Sequence, residues 1–255
     1  MGELTPGAAR SNRGSVLVVM AKAPRAGHAK TRLVSGNGSA VDALDLYRCL
    51  VEDTVAMTRA VTGVHVALMC PAGDAPELRT WLGPDLHIVE QSGQGLANAL
   101  SETFEHFESH GFDRIVAFNA DSPHLPASIL DRAFDALGSC DLVVGPTADG
   151  GYYLVGARKP HAALFDTTQL GTNGALEALR ARATELRLRV AQTETCYDID
   201  VFGDLARLAH ELAVDPLRAP RTAEYLARCS FGDAAGSNVD TQQPPADGKN
   251  SCHGP

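Results

Sequence analysis

Short apolar runs alternate with segments of helical periodicity along most of this chain, and that alternation restricts the folds open to it. Several of the runs are continuous rather than alternating in hydropathy, as strands covered on both faces are. We therefore predict an α/β protein with a mostly parallel, twisted sheet and helices on both faces. The six runs that predict strands are "SVLVVM" (15–20), "VHVALMC" (64–70), "LHIVE" (86–90), "RIVAF" (114–118), "DLVVG" (141–145) and "YYLVG" (152–156).

Helical periodicity fills the intervals between the runs and continues after the last one. The first helix is predicted to begin at "SAVD", where Ser39 would be the cap and Asp42 would complete a capping box. Residues 14–229 are predicted to form a single Rossmann-like domain, whose ligands would bind beyond the carboxyl ends of the strands. The predicted helices are 39–60, 75–82, 96–109, 126–137, 174–188, 203–213 and 221–229.

The two ends of the chain differ from the middle in composition. Residues 1–13 are small and polar, and 230–255 are polar and rich in Gly, Pro and Asn, without periodicity. Such segments lack the apolar content needed to form a core. We predict a flexible amino terminus at 1–13 and a disordered tail at 230–255.

Composition and charge exclude several classes of function. A formal net charge of −9 argues against nucleic-acid binding, which requires a basic face. No apolar run approaches the length of a membrane span, and no secretory signal is visible. The six cysteines lack disulfide or zinc-site spacing, so we expect a reducing, cytoplasmic location. The oligomeric state stays open between a monomer and a homodimer, because no helix has a sustained heptad seam.

A cluster of cations follows the first predicted strand, in "AKAPRAGHAKTRL" (21–33). The loop is not a P-loop, because that motif, aligned on Lys30, requires glycine where Pro24 and Ala29 stand. Side-chain charge would therefore have to bind any anion here, and the alternative is a solvated basic loop. The candidate phosphate-binding residues are Lys22, Arg25, Gly27, Lys30 and Arg32.

Two carboxylates lie just beyond later predicted strands. Asp121, in "NADSPHLP" (119–126), could cap a helix or offer a hard oxygen ligand to Mg²⁺ or Mn²⁺. Asp149 precedes Gly150 and Gly151, which indicates either a hairpin turn or a close approach of a ligand to the backbone.

A further pair of carboxylates lies in "CYDIDVFGDL" (196–205). Asp198 and Asp200 are two positions apart on an extended segment, so they face the same side and repel each other unless a cation lies between them. Asp204 could join them, or could cap the helix that follows. The basic loop and the carboxylates together predict a site for a metal-chelated pyrophosphate at one edge of the sheet.

Four segments, in their order along the chain, resemble one family. They are similar to the GT-A-like sugar-nucleotide transferases of the bacterial arsenosugar-biosynthesis-type glycosyltransferase group, and the core is also similar to 2-phospholactate guanylyltransferase. The resemblance implies a GT-A domain that binds a nucleoside-diphosphate sugar or a nucleoside triphosphate, a small-molecule acceptor, and Mg²⁺ or Mn²⁺. The segments are "MAKAPRAGHAKTRL" (20–33), "NADSPHLP" (119–126), "GPTADGGYYLVGARKP" (145–160) and "YDIDVFGDL" (197–205).

The resemblance also implies roles for individual residues, which fall into four groups. The metal ligands would be Asp121 and Asp200, with Asp198 as the third candidate. The catalytic residues would be Asp149 and Asp121. The phosphates would meet Lys22, Lys30 and Arg32, and the base and ribose would lie near Gln91, Gly95 and Asn98. The acceptor or sugar would contact Gly150, Gly151, Tyr152 and Thr172.

The sequence departs from the family pattern at three places. Ala148 stands where the family has an acid, His124 replaces an acid in the usual D-C-P-D-L, and "GQGL" (93–96) replaces G-D-L-G. We expect His124 at the surface or in the acceptor pocket rather than as a ligand.

Three functions are compatible with these residues. The leading hypothesis is metal-dependent glycosyl transfer from a nucleoside-diphosphate sugar. The alternative is nucleotidyl transfer, in which a phosphate-like acceptor attacks a nucleoside triphosphate and pyrophosphate leaves. Because carboxylates are lost from two motifs, a nucleotide-sugar-binding protein without catalysis is the third.

Overall fold

The computed structural model describes residues 14–25, 41–166 and 170–229, which form one seven-stranded sheet flanked by helices. This confirms the predicted fold class. The predicted flexible segments at 1–13 and 230–255 lie outside the described residues. The strands are β1 (Ser15–Met20), β2 (His65–Cys70), β3 (His87–Glu90), β4 (Arg114–Asn119), β5 (Leu142–Pro146), β6 (Tyr152–Ala157) and β7 (Val190–Gln192).

The strands are arranged in the order β3-β2-β1-β4-β6-β5-β7. Every neighbouring pair is parallel except the two that involve β6, which runs antiparallel to β4 on one side and to β5 on the other. The six other strands therefore end at the same edge of the sheet, and β6 begins there. Loops from distant parts of the sequence meet at that edge.

The helices cover both faces of the sheet, because successive strand side chains point to opposite sides. In β1, Val16 and Val18 pack in a cluster with Phe104, whereas Leu17 packs in another with Phe134; all these side chains are buried. The helices are α1 (Ala43–Thr58), α2 (Ala75–Leu82), α3 (Gly95–Ser109), α4 (Ser128–Ala136), α5 (Ala175–Glu185), α6 (Phe202–Val214) and α7 (Pro220–Arg228).

The first helix begins later than predicted. Its cap is Asp42, whose carboxylate accepts hydrogen bonds from the backbone N–H of Leu44 and Asp45 at 2.7 and 3.1 Å, so α1 begins at Ala43. The strand β7 was not predicted at all, since its three residues carry no apolar run. Among the described residues, no helix is both long and apolar enough to cross a membrane.

Candidate active site

A cleft of about 380 Å³ opens at the edge of the sheet where the parallel strands end. It brings together side chains from the β4 exit, the turn between β5 and β6, the loop before α5 and the segment before α6. Four of these side chains are carboxylates. The lining residues are Leu96, Asn119, Asp121, Asp149, Gly151, Tyr152, Gly171, Thr172, Asn173, Ala175, Asp198 and Asp200.

The exit of β4 supplies Asn119 and Asp121. Asn119 of β4 pairs with Met20 of β1, the adjacent parallel strand. Asp121 lies two residues after Asn119 and Lys22 lies two residues after Met20, so both follow the same pair at the edge of the sheet. The Asn119 side-chain amide donates to the Ser122 hydroxyl at 2.9 Å. Its Oδ1 is buried without a hydrogen-bond partner in the described part of the chain. Sequence reasoning missed Asn119, although it directly precedes Ala120 and Asp121 at the end of a buried strand.

The turn between β5 and β6 supplies Asp149, and of the two alternatives for this segment the hairpin turn is present. The Asp149 Oδ1 accepts from the Thr147 hydroxyl at 2.6 Å and from the Gly151 backbone N–H at 3.0 Å. The hydrogen bond from Thr147, followed by that from Gly151, lowers the pKa of Asp149. This carboxylate is therefore held in place and ionised at neutral pH.

Two glycines in this turn meet close neighbours. Gly150 has φ +93°, and a Cβ on it would lie 2.1 Å from the backbone oxygen of Asn173. A Cβ on Gly151 would lie 2.8 Å from the Thr147 hydroxyl. The Gly150 carbonyl accepts from the N–H of Leu176 at 3.0 Å, which joins the turn to the first residues of α5. The close packing, rather than ligand access, explains the glycine at 150.

The first residue of β6 adds a phenol to the cleft. The Tyr152 hydroxyl is buried without a hydrogen-bond partner among the residues described. Burial raises the pKa of Tyr152 well above its usual range, so the group stays protonated and can act as a donor. Thr172 and Asn173 line the cleft beside it, and the Thr172 hydroxyl accepts from the Gly174 N–H at 3.2 Å.

The segment that carries Asp198 and Asp200 is aligned along the exit of β5. Backbone hydrogen bonds join Cys196 to Pro146 at 3.0 Å and Ala148 to Cys196 at 2.8 Å. Ile199 is fully buried between the two aspartates, and both aspartates line the cleft, as their spacing predicts. Asp204 has the role expected of a cap, since its carboxylate accepts from the N–H of Asp200 and of Val201 at 3.1 and 3.0 Å.

The basic loop is described only as far as residue 25. Lys22 is exposed, and its backbone N–H donates to the Tyr47 hydroxyl at 3.0 Å. Arg25 forms ion pairs with Asp74 and, at 3.2 Å, with Glu77. Because Asp74 is 3% exposed, Arg25 neutralises a buried carboxylate there, and it does not line the cleft. The other candidates, Gly27, Lys30 and Arg32, lie outside the described residues.

The segment expected near the base and ribose forms a loop with its own internal contacts. Gln91 is buried, and its side-chain amide donates to the Gly93 carbonyl at 2.8 Å. The Asn98 amide donates to the Gln94 carbonyl at 2.8 Å. Gly95, with φ +85°, begins α3. None of these three residues lines the cleft, which this segment reaches through Leu96.

The expectation of a surface position for His124 is wrong. The residue is 3% exposed, and it does not line the cleft. Its ring packs on Tyr197, with the ring centroids 4.5 Å apart. Burial lowers the pKa of His124 to about 4, so the ring is neutral at physiological pH.

The described residues contain no group of three His, Cys, Asp or Glu side chains that could hold a metal ion by themselves. The four cleft carboxylates are nevertheless oxygen donors of the kind that Mg²⁺ and Mn²⁺ prefer. Mg²⁺ in particular is usually bound by one or two carboxylates together with substrate phosphates and water. The donor set of the cleft is therefore compatible with an ion that arrives with its phosphate ligand.

Comparison with known families finds one match. The family described as an uncharacterized protein conserved in bacteria (DUF2064) matches residues 54–172. That range includes Asp121, Asp149 and Thr172 and ends before Asp198 and Asp200. No curated protein matches the chain.

Solved structures resemble most of the chain. A predicted nucleotide-diphospho-sugar transferase from Desulfovibrio desulfuricans G20 is 28% identical, with a TM-score of 0.75 over 84% of this chain and 94% of that chain. A nucleotidyl transferase from a Methanothermobacter species is 18% identical, with a TM-score of 0.51 over 78% and 99%. The 4-diphosphocytidyl-2C-methyl-D-erythritol synthase of Anaerococcus prevotii DSM 20548 is 9% identical, with a TM-score of 0.51 over 80% and 97%. The chain thus shares its fold with transferases of both kinds.

Proposed function

We propose that the protein is a metal-dependent transferase that takes a glycosyl group from a nucleoside-diphosphate sugar and gives it to a small acceptor. The observation that carries the proposal is the cleft, where four carboxylates from three segments meet beside the exit of β1. The similarity to the Desulfovibrio protein supports a sugar nucleotide as the donor. The narrower resemblance to the arsenosugar-biosynthesis-type group remains a prediction.

In this proposal Asp121 and Asp200 hold Mg²⁺ or Mn²⁺, with Asp198 as a further candidate. Asp198 and Asp200 share one segment, and Asp121 approaches from the β4 exit, so the ligands come from two directions. Phosphate oxygens of the donor and water would complete the coordination. The bound ion would supply charge neutralisation for the departing nucleoside diphosphate.

The donor's phosphates would be met by side chains of the basic loop. Lys22 is exposed and follows the strand paired with β4, so it begins on the correct side of the cleft. We keep Lys30 and Arg32 as candidates, whereas Arg25 is engaged by Asp74 and Glu77 and has a structural role. The base and ribose would lie over the loop at Gln91, Gly95 and Asn98, where backbone groups rather than these engaged amides make the contacts.

The acceptor would lie on the side of the cleft formed by the β5–β6 turn. Tyr152 offers a hydroxyl donor, and Asp149 and Thr172 offer oxygen atoms to an acceptor hydroxyl. Gly150 and Gly151 would shape this side by allowing the turn to pack against Asn173 and Thr147. The lowered pKa of Asp149 favours a role in orienting the hydroxyl over one in accepting its proton.

The lowered pKa of Asp149 also favours a second candidate, nucleotidyl transfer. A general base is most effective when its pKa lies near the working pH, and the pKa of Asp149 is lowered instead. An acceptor that is already ionised, such as a phosphate, needs no base to attack a nucleoside triphosphate. The cleft carboxylates and Lys22 would serve that reaction equally well.

Ligand binding separates the two reactions. Calorimetry would compare UDP-, GDP- and dTDP-sugars with GTP, CTP and UTP, with and without Mn²⁺. We expect one nucleoside-diphosphate sugar to bind in a Mn²⁺-dependent manner. Preference for a triphosphate would replace glycosyl transfer with nucleotidyl transfer, and binding of neither class would overturn both.

Substitution of Asp121 tests the assignment of the ligands. Asp121→Ala should lower transfer by about a hundredfold or more, the size seen when one preorganised electrostatic contact with a transition state is lost. Asp131→Asn, which removes an exposed charge on α4, is the matched control and should leave the rate unchanged. Metal-dependent transfer at the wild-type rate in Asp121→Ala would contradict the assignment.

A further inference from the structure

Two aromatic side chains join the segments that carry the cleft carboxylates. His124 lies three residues after Asp121, and Tyr197 directly precedes Asp198. Their ring centroids are 4.5 Å apart, with 34° between the ring planes. A contact between the β4 exit and the segment before α6 is thus made by two residues that do not line the cleft.

Tyr197 is also held by α6. The Arg207 guanidinium carbon lies 3.8 Å from the centroid of the Tyr197 ring, in cation–π geometry. The Tyr197 hydroxyl donates to Glu211 Oε2 at 3.0 Å, and Arg207 Nε donates to Glu211 Oε1 at 2.9 Å. Tyr197 is therefore fixed by Arg207 and Glu211 of α6 as well as by its contact with His124.

In the part of the chain that the structure describes, the His124 ring makes its contact with Tyr197 without help from hydrogen bonds of its own. Both ring nitrogens are buried without a hydrogen-bond partner among the described residues. The side chain therefore acts through the shape and face of its ring and not through hydrogen bonds. A phenyl ring in its place would keep the contact with Tyr197 and would remove two buried polar atoms that gain nothing.

We propose that His124 is a positioning residue, which acts through Tyr197 to fix Asp121 relative to Asp198 and Asp200 and so sets the affinity of the cleft for a divalent cation. This inference rests on the proposed function, because it assumes that these carboxylates hold the ion. His124 touches neither the ion nor the substrate. Groups that only orient ligands commonly change metal affinity by about 10- to 100-fold when they are removed.

The test measures Mn²⁺ binding to the full chain, with and without inorganic pyrophosphate as a phosphate ligand, by the water-proton relaxation of Mn²⁺ titrations. His124→Ala removes the ring and should weaken Mn²⁺ binding by about tenfold. His124→Phe keeps the ring and should bind Mn²⁺ within about twofold of the wild type. The control is Leu137→Ala, which empties a fully buried position near the end of α4 without touching the cleft.

The outcomes distinguish this inference from the proposed function. Mn²⁺ affinity that falls in His124→Ala, recovers in His124→Phe and is unchanged in Leu137→Ala supports the positioning role. If His124→Ala and Leu137→Ala have the same affinity for Mn²⁺ as each other, and Asp121→Ala binds Mn²⁺ more weakly than both, then His124 is only a packing residue. The metal site stands in that case. If the wild type binds no Mn²⁺ even with pyrophosphate present, the metal site fails and the inference fails with it. Should His124→Ala not fold, His124→Leu replaces it, because leucine fills the space without an aromatic face.

Discussion

At the scale of single residues, the β5–β6 turn combines a functional group with a steric constraint. Asp149 is oriented by Thr147 and by the Gly151 N–H, and that geometry exists only because Gly150 adopts φ +93°. Glycine reaches this conformation without the penalty that a Cβ brings. The orientation of the Asp149 carboxylate thus depends on a neighbour that has no side chain.

We predict that Gly150→Ala disrupts the turn. The new Cβ would lie 2.1 Å from the Asn173 oxygen, so the turn must move away from α5 in addition to bearing an unfavourable φ. We expect a loss of more than about 2 kcal/mol in the free energy of unfolding, together with weaker acceptor binding. Chemical denaturation and acceptor KM measure the two effects.

The control for this change is Gly111→Ala. Gly111 has a similar φ of +90°, but a Cβ there would meet nothing within 4 Å. Gly111→Ala should lower the free energy of unfolding by only the conformational penalty, about 1 kcal/mol, and should leave the acceptor KM unchanged. Equal losses in the two variants would show that the contact with Asn173 is relieved at little cost.

At the scale of elements, apolar runs and helical periodicity located every strand and α-helix described except β7. That strand has only three residues, and contacts with a distant segment hold it in place. Asp141 accepts from the Arg189 backbone N–H at 3.0 Å and from its guanidinium at 2.9 and 3.0 Å. Local sequence patterns contain no signal for such a contact, so β7 could not be predicted.

In the candidate site, too, local patterns locate some residues, whereas contacts between distant segments decide the roles of others. Asp121, Asp149, Asp198 and Asp200 could be located because each follows or precedes a recognisable element at the ligand edge of the sheet. The engagement of Arg25 by Asp74, and the burial of His124, depend on contacts between segments far apart in sequence. Residue type alone suggested a phosphate ligand for Arg25 and an exposed position for His124.

The Asp141–Arg189 pair predicts a pH dependence of the β5–β7 junction. The hydrogen bonds from Arg189 lower the pKa of Asp141 to about 2. A carboxylate whose pKa is lowered by folding stabilises the protein above its unfolded value of about 3.9, and that stability is lost as the pH falls towards 2. Asp141→Asn should therefore lower stability at pH 7 and flatten its change between about pH 4 and 2.

Denaturation of both proteins across this pH range measures the effect, and amide exchange in β7 reports whether the strand detaches. Asp131→Asn, an exposed change of the same kind on α4, should leave the wild-type profile intact. A wild-type profile in Asp141→Asn would show that the pair contributes nothing to stability.

At the scale of the whole molecule, α7 closes on α1. Asp53 of α1 is 2% exposed, and its carboxylate accepts from the backbone N–H of Arg221 and Thr222 at 3.2 and 2.7 Å, at the start of α7. The Tyr225 hydroxyl exchanges hydrogen bonds with the backbone of Asp42. Leu46 of α1 is buried in the cluster that α6 and α7 complete.

We predict that Asp53→Ala weakens this closure. It removes the acceptor for two N–H groups at the α7 terminus and should lower the free energy of unfolding by about 2 kcal/mol, at the upper end for helix caps. Asp42→Ala removes the exposed cap of α1 and should cost about 1 kcal/mol. Urea denaturation compares the two variants, and a smaller loss in Asp53→Ala than in Asp42→Ala would contradict the closure.

The contact between Asp53 and Thr222 spans 169 positions of the chain, and this has a consequence for synthesis. Translation delivers α1 well before α7, because the two helices are far apart in the chain. Throughout that interval Leu46 and Leu50, which are fully buried in the folded protein, have no α7 to cover them. The nascent chain therefore carries an incompletely covered apolar surface until α7 emerges, and a product terminated before Pro220 retains that surface.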